Sequence, residues 1–234
     1  MTTRSIKTTI VHGCALMITW LASASAFADP TLVNGSFESQ ILADGSRYTG
    51  LIDGWGKTFH GPVALVSGNI QDYNDAWYGV TPFGSNYVGL DQSSRGFVGG
   101  VSQTISGFVA GQDYVLSLYV ADSDGGVAPQ LHILLSNNSG VTYLDRLYDV
   151  PVDGPYGDVI GFTEVRTSFT ASVSGDITLS LYNSGSAFNA GSISIDNVSI
   201  ASVPEPGTTA FMLLGVGLCA AVVRRRSGRA GLSA

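Results

Sequence analysis

Thiols are almost absent from this chain. Its 234 residues include two cysteines, Cys14 and Cys219, each inside an apolar terminal run. The long stretch between those runs can form no disulfide, no thiolate metal site and no thiol nucleophile. Positive charge is nearly as scarce. From Asp29 to Val203, seventeen Asp and Glu stand against five Lys and Arg, a net charge of −12. Such a surface repels nucleic acid and phosphate-rich membranes and suits divalent cations or neutral ligands better. Solubility of a secreted protein accounts for most of these carboxylates equally well. Familiar catalytic motifs are missing too. His60 and His132 are the histidines of this stretch, and it has no Gly-x-Ser-x-Gly elbow, no His-Glu-x-x-His and no complete EF-hand loop. Asp122-Ser123-Asp124-Gly125 reads as an acidic turn. A pair of glycosidase carboxylates, separated by roughly 5 to 9.5 Å, cannot be tested from spacing along a sandwich. The balance is against an enzyme.

What is present is clearest at the two ends. Arg4 and Lys7 precede an apolar run from Ile10 to Leu21, and Ala26-Phe27-Ala28 fits the small-x-small rule. This predicts a signal peptide over 1–28, handled by the Sec machinery and signal peptidase and cut between Ala28 and Asp29. At the other end, Val203-Pro204-Glu205-Pro206-Gly207 leads into an uncharged, mostly apolar run over 208–223, closed by Arg224-Arg225-Arg226. At about 1.5 Å per residue these sixteen residues span roughly 24 Å, short of the ~30 Å hydrocarbon core, a deficit that arginine snorkelling reduces. The segment has no polar face, as a soluble core helix would. It is expected to be a membrane helix with its arginines in the cytoplasm.

The order of motif, apolar helix and basic end resembles the PEP-CTERM sorting signal of exopolysaccharide-producing Gram-negative bacteria. The resemblance covers about one eighth of the chain and rests on Pro204, Glu205, Pro206, Arg224, Arg225 and Arg226. It implies an exosortase, a membrane protease-transpeptidase, as partner. It also implies a route by which the inner membrane holds the chain before it reaches the cell surface, the extracellular matrix or the medium.

Between the ends, apolar residues alternate with polar ones in short runs. In Tyr114 to Val120, residues 114, 116, 118 and 120 fall on one side and Val115, Ser117 and Tyr119 on the other. Leu131–Leu135, Val165–Thr170, Ile177–Tyr182 and Ser192–Ile200 behave likewise. Clusters such as Ser106-Gly107, Asp122 to Gly126, Asn137 to Gly140 and Ser174-Gly175-Asp176 read as their boundaries. Sustained helical periodicity is absent. The expected fold is all-β, an antiparallel β-sandwich of jelly-roll type over 29–202, followed by the sorting tail over 203–234.

A second resemblance runs through this domain. Leu32-Val33-Asn34-Gly35-Ser36-Phe37-Glu38 with Gly54-Trp55 is similar to the opening of galactose-binding-like jelly rolls found in carbohydrate-binding modules. So are Gly84–Leu90, Val101–Ile105 and Ala110–Ser117, and the close from Phe169 to Ile200. The resemblance implies a structural Ca²⁺ held by Glu38 and Asp196, since the ion takes six to eight oxygens and two carboxylates supply charge. The alternative for both acids is turn capping or simple exposure at the sandwich edge.

Sugar faces are apolar C–H surfaces rimmed with hydroxyls, so aromatic platforms beside acids and amides suit a saccharide. Trp77 and Tyr78, beside Asp72, Asn74 and Asp75, form that pattern, with core packing as the competing reading; Trp55 is expected in the core. Together these features point to an exported, non-catalytic protein of the exopolysaccharide or biofilm matrix that binds glycan. A purely structural or adhesive matrix protein, and a polysaccharide-active hydrolase or lyase, are the alternatives.

Overall fold

The computed structural model describes residues 29–58, 61–68, 70–72, 75–77, 81–91, 98–122, 129–152, 161–184, 191–204 and 214–218. Asp29–Val203 forms one compact unit. The predicted signal peptide lies outside the described residues, as do Glu205, Pro206 and Arg224 to Arg226. Within 208–223, residues 214–218 are helical. No helix among the described residues is long and apolar enough to cross a membrane.

Two antiparallel sheets face each other. The first has six strands in the order β1 (Ser46–Tyr48), β3 (Val63–Ser67), β6 (Asn86–Leu90), β13 (Ile193–Ser202), β8 (Asp113–Asp122) and β11 (Thr163–Thr170). The second has five, in the order β10 (Thr142–Asp149), β9 (Gln130–Ser136), β12 (Gly175–Asn183), β7 (Gly100–Phe108) and β2 (Gly56–Thr58). A small hairpin joins β4 (Ile70–Asp72) to β5 (Asp75–Trp77). Successive strands repeatedly switch sheets, giving the jelly-roll sandwich that the alternating sequence predicts.

Period-two alternation decides which side chains meet between the sheets. Tyr114, Leu116, Leu118 and Val120 of β8 are buried against Leu131, Ile133 and Leu135 of β9 and Ile177, Leu179 and Leu181 of β12. The strands β3 and β6 are buried along their whole length. Val63, Leu65, Val88 and Leu90 join the main core, while Ala64, Val66 and Tyr87 form a second cluster with Phe162 packed on it. The six-stranded sheet is therefore covered on both faces over these strands. On the outer face of the five-stranded sheet, His132, Leu134, Thr178, Ser180 and Tyr182 remain half-exposed.

One expected boundary is overturned. Ser106-Gly107 does not end a strand, because β7 continues to Phe108. Phe108 is buried with its ring 4.9 Å from that of Tyr114 and 5.9 Å from that of Phe169, and this packing draws the strand past the small pair. Gly107 takes a φ of 99° that a side chain would resist. Asn137 to Gly140 does form a turn, with Asn137 Oδ1 accepting from the Ser139 and Val141 amides.

The chain from Val33 to Phe37 closes one end of the sandwich. Gln103, on β7, accepts from the Val33 amide at 2.7 Å and donates to the Val33 and Gly54 carbonyls. Trp55 is buried, lies tilted against Phe37 with ring centroids 5.3 Å apart and donates its indole N–H to the Asn34 carbonyl, so it plugs this end as expected. The Val198 amide of β13 donates to the Gly35 carbonyl at 2.8 Å. A Cβ on residue 35 would lie 2.0 Å from the Val198 carbonyl oxygen, so only glycine fits. Gly35→Ala should therefore lower unfolding stability by about 1–3 kcal/mol in urea titration. Gly161→Ala, where a Cβ meets nothing within 4 Å, should stay within about 0.5 kcal/mol of wild type.

Candidate functional site

Asp196 sits on β13 at the point where the strand bulges: its register against β8 shifts between Asp196 and Ser199, and Asn197 adopts a φ of 48°. The carboxyl group is completely buried. Its Oδ2 accepts from the Thr81 hydroxyl and its Oδ1 from the Asn197 amide at 2.6 Å. Burial pushes this acid up to about 7; the hydrogen bonds from Thr81 and Asn197 oppose the rise, and the negative charge of Glu38 adds to it. Glu38 Oε1 meanwhile accepts from the Ser85 and Asn86 amides at 2.8 and 2.7 Å. The bulge and the 84–86 turn thus bring together two acids separated by more than 150 positions in the chain. Glu38 caps a turn, as one of its two readings held, while Asp196 is far from the exposed edge position that the same reading allowed.

Two features of this cluster fit a hard cation. The negative charge of half-buried Glu38 acts on the fully buried Asp196. In addition, Asn86 Oδ1 is buried and accepts no hydrogen bond among the described residues, while its Nδ2 donates to the Phe37 and Gln40 carbonyls. An orphaned acceptor on a residue whose amide already bonds Glu38 is what an oxygen-seeking ion relieves. No group of three or more His, Cys, Asp or Glu gathers among the described residues, so carbonyl, amide and hydroxyl oxygens would complete the shell.

A second arrangement lies on the open face of the five-stranded sheet. Register places Leu147, His132, Tyr182 and Gly100 in one row across β10, β9, β12 and β7. His132 Nε2 lies 2.6 Å from Asp145 Oδ1, and its ring is 4.5 Å from that of Tyr182. Burial, then the Asp145 charge, raises the Tyr182 hydroxyl above the ordinary tyrosine range. Gln130 donates to Asp149 at 2.8 Å beside this row, and Ser102, Thr104, Thr178 and Ser180 pave the strands next to it. Sequence reading took His132 only as a strand residue. Its outward parity was visible, but its partner Asp145 became apparent only through the β9–β10 pairing.

Of the aromatic sequence candidates, Asp72 ends β4, Asp75 opens β5 and Trp77 closes it, with Asp72 opposite Asp75 and Ile70 opposite Trp77 in the backbone register. Asn74 and Tyr78 lie outside the described residues. The hairpin thus brings the backbones of Asp72, Asp75 and Trp77 together.

Residues 202–226 match the PEP-CTERM protein-sorting motif. The chain carries a PEP-CTERM sorting tail. This marks an exported protein and implies an exosortase as its processing partner; in sequence, the matched segment begins at Ser202, the last residue of β13. No curated protein matches the chain. Among solved structures, a cyclase from Fischerella sp. TAU in complex with 4-(1H-indol-3-yl)butan-2-one is similar, with a TM-score of 0.57 and 16% identity over 76% of this chain and 98% of that one. An arabinose-bound MgGH51 α-L-arabinofuranosidase gives 0.50 at 18% identity, over 77% of this chain and 27% of that one. TmCBM61 in complex with β-1,4-galactotriose gives 0.45 at 18% identity, over 76% and 100%. The first two share the fold.

The buried acid makes stability depend on pH in a defined direction. A carboxyl raised in the folded state holds a proton that the unfolded chain releases, so stability is lost as pH rises from the ordinary 3.8 to about 7 and then levels off. In chelator-treated protein, the difference in urea midpoint between wild type and Asp196→Asn should move against wild type across that interval. A difference that stays flat with pH would contradict the assignment.

Proposed function

We propose that this is a non-catalytic protein of the bacterial surface or extracellular matrix, exported through Sec, held transiently at the inner membrane and sorted by its tail, whose sandwich binds glycan. The observation that carries this reading is the sorting motif at 202–226, which marks a protein meant for the outside of the cell. Glycan binding is supported by the open five-stranded face. Tyr182 and Leu147 offer apolar surface to a sugar ring, while His132, Asp145 and the serine and threonine hydroxyls beside them match its oxygens. The Trp77 hairpin adds an aromatic from the sequence pattern. Ca²⁺ at Glu38, Asp196 and Asn86 would neutralise the two acids and tie the opening segment to the last strand, which is a structural role.

Three measurements test these parts separately. In cell fractionation, the full chain and a copy ending at Val203 should reach different compartments, and identical distribution would overturn the sorting role. In affinity electrophoresis against the producing cell's own exopolysaccharide, wild type should be retarded and Tyr182→Ala should lose about tenfold in affinity. No retardation of wild type, or release of reducing ends, would overturn the non-catalytic binding reading. Adding Ca²⁺ at about 100 times its Kd should stabilise wild type by about 2.7 kcal/mol and leave Asp196→Asn unmoved.

A further inference from the structure

The scarce positive charge of this domain is not evenly spread. Of its five Lys and Arg, two line one cavity of about 210 Å³, bounded by Arg47 and Thr49 at the end of β1, Lys57 of β2, Gly61 and Pro62 before β3, and Asp91 after β6. The strands β1 and β2 are edge strands of opposite sheets, so this is the seam where the sandwich is open. Lys57 pairs with Val101, a core residue, which puts its side chain on the inner side of the sheet at the exposed edge. Its Nζ donates to the Thr49 carbonyl and, at 3.1 Å, to that of Val63. These partners are neutral, and they use two of the three ammonium donors. Partial burial pulls the Lys57 ammonium below the ordinary lysine range.

The same lining carries an acceptor. Asp91 Oδ1 accepts from Ser192 at 2.9 Å, and its backbone is tied to Pro62 and Gly99 by bonds of 3.1 and 2.8 Å, so the carboxylate is held in place. Gly61 abuts the Val98 carbonyl so closely that a Cβ would come within 2.3 Å of its oxygen, which makes the floor rigid. Positively charged donors and a tethered carboxylate lining one small cavity suit a ligand with one negative charge and neighbouring hydroxyls. A phosphate or sulfate dianion would be repelled by Asp91 and by the surrounding net charge of −12. The volume lies below the roughly 300 Å³ of drug-sized pockets and suits one ring.

We propose that this seam cavity binds the carboxylate of a sugar acid, with Lys57 and Arg47 on the carboxylate and Asp91 on a ring hydroxyl. The site extends the glycan-binding reading to acidic units but does not depend on the five-stranded face, since it uses none of the same residues.

The test uses full-length protein in detergent with sodium glucuronate, glucose, acetate and inorganic phosphate as probes in titration calorimetry. Glucuronate should bind saturably at concentrations below about 10 mM, and the other three should bind at least about tenfold more weakly. Arg47→Gln and Asp91→Asn should each weaken glucuronate binding about tenfold or more. Lys57→Gln should do the same if it folds, and Arg47→Gln, on an exposed edge strand, keeps the test valid if it does not. Tyr182→Ala should leave glucuronate binding unchanged, whatever it does to polysaccharide retention. Absence of glucuronate binding, equal binding of glucose or phosphate, or wild-type affinity in Arg47→Gln would overturn the proposal.

Discussion

The sandwich closes where the segment from Val33 to Glu38 meets the bulge of β13, and the placement of its functional groups follows from that junction. An antiparallel sandwich of short strands has open ends, and a buried strand bulge leaves backbone groups without ladder partners. Here the Gly35 carbonyl takes the Val198 amide, the Asn34 carbonyl takes the Trp55 indole, and Gln103 bonds both ways to Val33. The approach is so close that residue 35 has no room for a side chain. The same closure sets Glu38 over the Ser85 and Asn86 amides and near the buried Asp196. Structural and electrostatic demands coincide there, because the closure that satisfies the backbone buries Asp196 within reach of the Glu38 charge.

The two sheets are specialised by what covers them. Over β3 and β6 the six-stranded sheet is buried on both faces, with Ala64, Val66 and Tyr87 on one side and the main core on the other. The five-stranded sheet keeps its outer face open, with polar side chains alternating against the buried Leu and Ile of the same strands. Exposed polar side chains are thus presented by the open sheet, and a cavity lies at the seam between edge strands. Fold likeness to a cyclase and to part of an arabinofuranosidase agrees with this architecture without transferring either chemistry, since a sandwich hosts many sites.

Much of the fold was legible in the chain. Alternation in Tyr114 to Val120 separated the two faces of β8, of which the one carrying 114, 116, 118 and 120 is buried, and β9, β11, β12 and β13 fall on the runs that predicted them to within a few residues. Ser106-Gly107 misled because local turn preference is weak beside the burial of Phe108 against Tyr114 and Phe169. Trp55 was legible as a plug from its glycine neighbour, though its indole partner was not. The site groups were legible only in part. Glu38 and Asp196 were paired by family resemblance, yet the raised acid, the Thr81 contact and the orphaned Asn86 oxygen depend on depth of burial, which no local pattern encodes.

Sequence alone determined that the chain is exported with a sorting tail, and the class of fold. A sorting signal is read along an extended or helical segment by other proteins and by the membrane, so order and charge suffice, and alternation of period two suffices for a sheet. Tertiary structure decided which residues act together. His132 meets Asp145 and Tyr182 through strand pairing, Asp196 comes near Glu38 through the bulge, and Arg47 shares a cavity with Lys57 and Asp91 because two sheet edges face each other. Each of these groupings joins different strands or loops, and their registers are set by the packing of the whole core.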